Sequence, residues 1–159
     1  MKKIIFISLA LLLLISCSRN TEISSMLSGF NDSLNSGNGA TFKSFVSKDA
    51  QDYESINDTW VLALTANKDY SYLFTKYDIP ISGDPVVVIV DTTVKKSNIT
   101  ITGNYISKIE VTKEGGFFGM GGDWKVLSLE LPDTTSNTTI PVLSVKGYKA
   151  FINSLKDKK

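Results

Sequence analysis

The spacing of apolar residues changes period near residue 78, and that change most restricts what this chain can fold into. Before it, Ile23, Met26, Leu27, Phe30 and Leu34 recur every three or four positions. This stripe predicts an amphipathic helix over residues 21–36, capped at Asn20 or Thr21 and ended at Gly37. Asn38-Gly39 is a turn signal, and Thr41 can cap a shorter helix carrying Phe42, Phe45 and Val46. Residues 48–58 are polar and mixed, with Tyr53 and Ile56 as the expected core contacts. Trp60, Ala63, Leu64, Asn67, Tyr70, Phe74 and Tyr77 share one helical face, so residues 59–77 read as a third helix that can break near Asn67-Lys68.

From Ile79 the dominant period is two. Pro80 and Pro85 bracket the turn Ser82-Gly83-Asp84 and disfavour helix. Residues 86–90 are apolar at every position, which suits a strand covered on both faces. Beyond a turn at residues 95–98, Ile99, Ile101, Tyr105, Ser107, Ile109 and Val111 alternate with mainly polar neighbours, predicting one long strand with a bend at Gly103. Residues 124–131 predict a further strand, with Leu127, Leu129 and Leu131 on one face, Trp124 and Val126 on the other, and Pro132 as its stop. Residues 133–139 read as a polar loop without core residues. From about residue 142, Val145, Tyr148, Phe151, Ile152 and Leu155 return to helical spacing. Helices first and antiparallel strands after them give an α+β fold, in which helices cover one face of a sheet.

The N-terminus carries a different message. Lys2 and Lys3 precede an apolar run from Ile4 to Ile15, interrupted only by Ser8. That run is well short of the ~20 residues a membrane-spanning helix needs, and a basic start followed by a short apolar stretch is a signal peptide. It closes on Leu14-Ile15-Ser16-Cys17. These four residues closely resemble the bacterial lipobox, in which lipid is attached to the cysteine and the chain is cut before it. The resemblance implies a signal peptide over residues 1–16, a lipidated Cys17 with a short tether to residue 20, and a single α+β domain over residues 21–159. It also implies membrane lipid as the first partner and the bacterial cell envelope as the location.

Composition narrows the chemistry. There is no His, and the single Cys is the one in the lipobox, so thiol and imidazole catalysis, zinc sites and an internal disulfide all lack their residues. No cofactor or metal motif is found. With 17 Lys+Arg against 16 Asp+Glu and one arginine, Arg19, the chain lacks the basic cluster that nucleic acid requires.

The order of elements over residues 21–131, together with Asp123-Trp124-Lys125-Val126, resembles the nuclear-transport-factor-two-like, or cystatin-like, cone. This likeness implies N-terminal helices packed on a curved, cone-like antiparallel sheet. The C-terminal helix lies outside the usual pattern. Members of that superfamily use the open end of the cone for ligands, catalysis or partners.

Three candidate sites follow. The glycine-rich residues 115–122 lack phosphate-binding spacing but carry Phe117, Phe118 and Met120, which either form an apolar contact tip or fold back into the core. Tyr70, Tyr72 and Tyr77 occur near Asp69, Asp78, Asp84 and Asp91, with Tyr77 and Asp78 adjacent. A tyrosine hydroxyl beside a carboxylate can polarise a carbonyl and move a proton, whereas the plainer reading is core aromatics beside solvated acids. The C-terminal stripe can serve the core or a partner. The leading expectation is a non-enzymatic envelope lipoprotein that binds an envelope protein or small ligand. The alternative is a small cone-fold isomerase or hydro-lyase.

Overall fold

The computed structural model describes residues 2–115, 121–136 and 138–156, with residues 2–17 described by their backbone alone. Helix α1 spans Lys2–Ser36, α2 spans Gly39–Phe45, a single 3-10 turn covers Tyr53–Ser55, and α3 spans Asp58–Leu64. The strands are β1 (Tyr70–Asp78), β2 (Val86–Lys96), β3 (Ile99–Thr100), β4 (Tyr105–Glu114), β5 (Asp123–Asp133) and β6 (Thr138–Pro141). Helix α4 spans Val145–Lys156. The fold is α+β: an antiparallel, curved sheet ordered β1-β2-β4-β5-β6, with β3 added at the end of β2, and helices packed over its inner face.

The α1 stripe packs as its spacing predicts. Ile23, Leu27, Phe30 and Leu34 are fully buried, and Gly37 ends the helix at φ +73, where the Leu62 side chain leaves no room for a Cβ. The helix does not start at Asn20 or Thr21, because the apolar leader continues it without a break. Asn38, not Thr41, caps α2, its side-chain oxygen accepting the Thr41 N–H at 2.8 Å. A second asparagine, Asn57, caps α3 by accepting from the Trp60 N–H at 3.0 Å. Of the two expected contacts between them, Ile56 is buried and Tyr53 half-buried.

The third helix is much shorter than the spacing predicts, seven residues over Asp58–Leu64. It stops at Leu64, the chain turns through Ala66, Asn67 and Lys68 at positive φ, and residues 70–78 are strand. The cause is arithmetic: an interval of four satisfies a helix and also returns to the same face of a strand. Tyr70 and Phe74 therefore fit both patterns, and Tyr72 between them is buried on the same strand face.

Three strand expectations also change. Burial alternates along β2, with Val86, Val88, Val90, Thr92 and Val94 buried and Val87 exposed, so that strand is covered on one side. The long strand from Ile99 breaks after two residues, because the Tyr105 ring lies against the Gly103 backbone and β4 restarts beyond it. In β5 the register slips between the pairs Glu110–Ser128 and Val111–Val126, so Leu127 is an extra residue. Such a bulge reverses the alternation. Val126 consequently joins Leu129 and Leu131 in the core instead of facing away from them.

Strand β5 also runs past Pro132, where its pairing with β4 has ended and Thr139 of β6 is the partner. Residues 133–139 are thus partly strand, and Asp133 is buried. Its carboxylate accepts from the Thr135 N–H at 2.8 Å and from the Thr135 and Ser136 hydroxyls, closing the hairpin turn. In α4, Phe151 is buried, and Tyr148 stacks on Trp60 with ring centroids 4.1 Å apart.

Strand β1 is an edge of the sheet, so every second residue turns its N–H and C=O away from β2. Those groups are met by α1. Asn31 donates to the Tyr72 carbonyl at 2.6 Å and accepts from the Phe74 N–H at 3.2 Å. Asn35, one turn later, donates to the same carbonyl at 2.8 Å and accepts from the Tyr72 N–H at 3.0 Å. Two side chains four residues apart thus stand in for a neighbouring strand. Asn31 is 4% exposed, so water cannot replace it when it is removed. Asn31→Ala is expected to lower unfolding free energy by about 2 kcal/mol, and Asn35→Ala, where water has access, by about 1 kcal/mol. Urea denaturation of both variants checks the order, and equal small losses would contradict the strand-mimic role.

Candidate functional site

Helix α1 carries the chain from Cys17 into the domain. Ser18, Arg19 and Asn20 are helical, so the expected extended tether is replaced by a rigid one spanning about 5 Å at ~1.5 Å per residue. Among the described residues, no helix is long and apolar enough to cross a membrane.

The first turns of α1 beyond Cys17 meet the ends of four strands. Arg19 donates to the carbonyls of Pro80, Ile81 and Gly83 in the loop joining β1 to β2, the last at 2.9 Å. Its guanidinium lies 5.6 Å from the centroid of the Trp124 ring at the start of β5. The Lys113 ammonium, from the end of β4, approaches the same ring at 5.6 Å, within the range in which a cation is drawn to an aromatic face. Glu22 completes the cluster. Its carboxylate accepts from the Ser18 hydroxyl at 2.9 Å and the Trp124 indole N–H at 3.2 Å, and pairs with Lys113 at 3.7 Å. The Ser18 bond first, then the Trp124 bond and the Lys113 charge, hold the Glu22 pKa below its ordinary value against a small opposing effect of burial.

Beside this cluster runs an open groove of about 1080 Å3 between α1, the end of α2 and the start of β5. Met26, Phe45 and Trp124 supply its apolar surface, and Thr21, Ser25 and Lys125 its polar one. A smaller cleft of about 370 Å3 opens on the other side of Trp124, between Arg19, the residues 82–84 and Gly115.

The interior is filled. Tyr72 and Tyr70 point inwards from β1, 1% and 3% exposed, with Phe151 over Tyr72 at 6.2 Å. Neither hydroxyl has a hydrogen-bond partner among the described residues, and the same is true of the Trp60 indole N–H. Burial, then the neighbouring Tyr70, pushes the Tyr72 pKa far above the ordinary tyrosine range.

The tyrosines and acids named from sequence are not brought together. Tyr77 is half-buried, and burial followed by the charge of Asp32 raises its pKa. Asp78 follows it in the strand, points to the opposite face and is exposed. Asp69 and Asp91 are exposed, and Asp84 accepts from the Thr112 hydroxyl at 3.1 Å in the β1–β2 loop. Phe117, Phe118 and Met120 lie outside the described residues; the flanking Gly115 and Gly122 are in close backbone contact. The C-terminal stripe belongs to the core, through Phe151 and the Trp60–Tyr148 stack.

No protein-family model, no curated protein and no solved structure matches this chain. Sequence spacing did not point to the Arg19–Glu22–Trp124 cluster, because Glu22 and Trp124 are 102 residues apart. The one available signal was that Arg19 is the chain's single arginine and stands two residues from its single cysteine, Cys17.

The depressed Glu22 pKa gives a signed expectation. A carboxylate whose folded pKa lies below its unfolded one favours the folded contact above the unfolded value, and the contribution is lost as pH falls through the folded value. The Trp124 indole N–H resonance should therefore titrate with a midpoint below 4.5, and stop titrating in Glu22→Gln. A midpoint at or above 4.5 would show that the carboxylate does not hold the indole.

Proposed function

We propose that this chain is a bacterial envelope lipoprotein: lipid on Cys17 holds one α+β domain against the membrane, where the domain acts as a non-enzymatic binding or structural module. The observation carrying the proposal is the sequence Leu14-Ile15-Ser16-Cys17 at the end of a basic, then apolar, leader. The rigid continuation of α1 through residues 18–22 is consistent with it.

The interior supports a binding module over a proton-transfer enzyme. Tyr72 has the burial a catalytic hydroxyl would need, but no carboxylate hydrogen-bonds to it, and large side chains occupy the space a substrate would take. The curved sheet over three helices agrees with a cone-like reading, which here would have its end plugged by Tyr72 and Phe151. Among the described residues, we assign the groove along α1 to a partner or small ligand.

Two experiments test this reading. Cys17→Ser should move the protein from the membrane to the soluble fraction, and a variant that stays with the membrane would count against lipid anchoring. Tyr72→Phe removes a buried hydroxyl that has no hydrogen-bond partner among the described residues, so the domain should keep its stability or gain about 1 kcal/mol. A loss of that size would mean the hydroxyl is satisfied and the interior is more polar than this account holds.

A further inference from the structure

We infer that the loop between β1 and β2 is a second membrane contact, with Ile81 entering the boundary between headgroups and acyl chains beside the lipidated Cys17. This rests on the lipid-anchor reading above. Ile81 is 83% exposed, the most exposed large hydrophobic side chain among the described residues. Ile79, two residues earlier, packs against the core, so the loop turns one isoleucine in and the next one out. Pro80 and Pro85 stiffen it at either end.

The position of the loop decides what covers Ile81. Arg19, two residues beyond Cys17 on a continuous helix, binds the carbonyl of Ile81 itself and those of Pro80 and Gly83. An exposed isoleucine is thereby clasped to the part of the chain that the lipid holds down. Trp124 lies in the same cluster, half-buried, and tryptophan favours the membrane interface because its ring is apolar and its N–H polar. The second strongly exposed isoleucine, Ile99, is 73% exposed but follows the far end of β2. Eleven residues of β2 at ~3.3 Å each place it more than 30 Å along the sheet, at the end away from Cys17 and Arg19. Charge does not choose the surface. Arg19, Lys113 and Lys125 are offset at this end by Glu22, Asp84 and Asp123, so the contact is apolar and needs no anionic lipid.

The test uses the full-length, acylated protein reconstituted into phosphatidylcholine vesicles containing brominated lipid. Ile81→Cys and Ile99→Cys each receive a polarity-sensitive fluorophore, and the wild-type protein should take up none because its Cys17 sulfur is blocked. Expected is a blue-shifted signal at position 81, quenched several-fold more than at position 99, with no increase when phosphatidylglycerol is added. Vesicle-bound protein with water-like, equally unquenched labels at both positions overturns the inference while leaving the anchor intact. Quenching that appears only with anionic lipid overturns the apolar contact. Labelled wild-type protein that fails to float with vesicles overturns the anchor and the inference together.

Discussion

The pairing of Asn31 and Asn35 with the edge of β1 is the interaction on which the arrangement of this domain depends. An edge strand leaves backbone donors and acceptors without partners, and burying them beneath a helix is costly unless that helix supplies their bonds. Here α1 does so with two asparagines one turn apart, each using both ends of its amide. Because these bonds have direction, they fix the rotation and height of α1 on the sheet. Hydrophobic contacts through Leu27, Phe30 and Leu34 alone would tolerate sliding. They also shield the edge from pairing with a second chain.

With one end of α1 fixed by asparagines, the other is fixed by Arg19 and Glu22. Arg19 holds three carbonyls of the β1–β2 loop, and Glu22 holds the indole of Trp124. The helix is thus a strut clamped at both ends, and Cys17 is part of it. Lipid attached there would set the orientation of the whole domain, because no extended linker intervenes. The ends of β1 and β4 and the starts of β2 and β5 would face the bilayer, and the far hairpin at Ile99 would point away. A longer, glycine-rich tether would lose that coupling.

What the sequence made legible was what depends on local spacing. The α1 and α4 stripes, the strand beginning at Val86 and the overall α+β class follow from period and turn residues. Elements went astray where two periods coincide or where pairing sets the register. Tyr70 and Phe74 fit helix and strand equally, and only the left-handed turn at Ala66, Asn67 and Lys68 separates the two. The bulge at Leu127 depends on β4, so nothing within β5 alone could reveal which face Val126 takes. The Trp124 cluster and the asparagine clasp were hidden for the same reason, since each joins residues distant in sequence. Asn31 and Asn35 read as polar positions beside an apolar stripe. The resemblance of Leu14-Ile15-Ser16-Cys17 to a lipobox is the opposite case, being contiguous and readable without any fold.

The filled interior and the clamped helix point the same way. Among the described residues, the Tyr70 and Tyr72 hydroxyls and the Trp60 indole N–H are buried without hydrogen-bond partners, so this part of the core is held by packing. The central claim is the covalent one, that lipid on Cys17 joins this rigid body to the membrane. Mass spectrometry of the N-terminal peptide from membrane-extracted protein tests it most directly. The account predicts a peptide beginning at Cys17 and heavier by a diacylglyceryl group, with or without a further acyl chain. A peptide beginning at Met1, or one cut elsewhere and carrying no lipid, would contradict it.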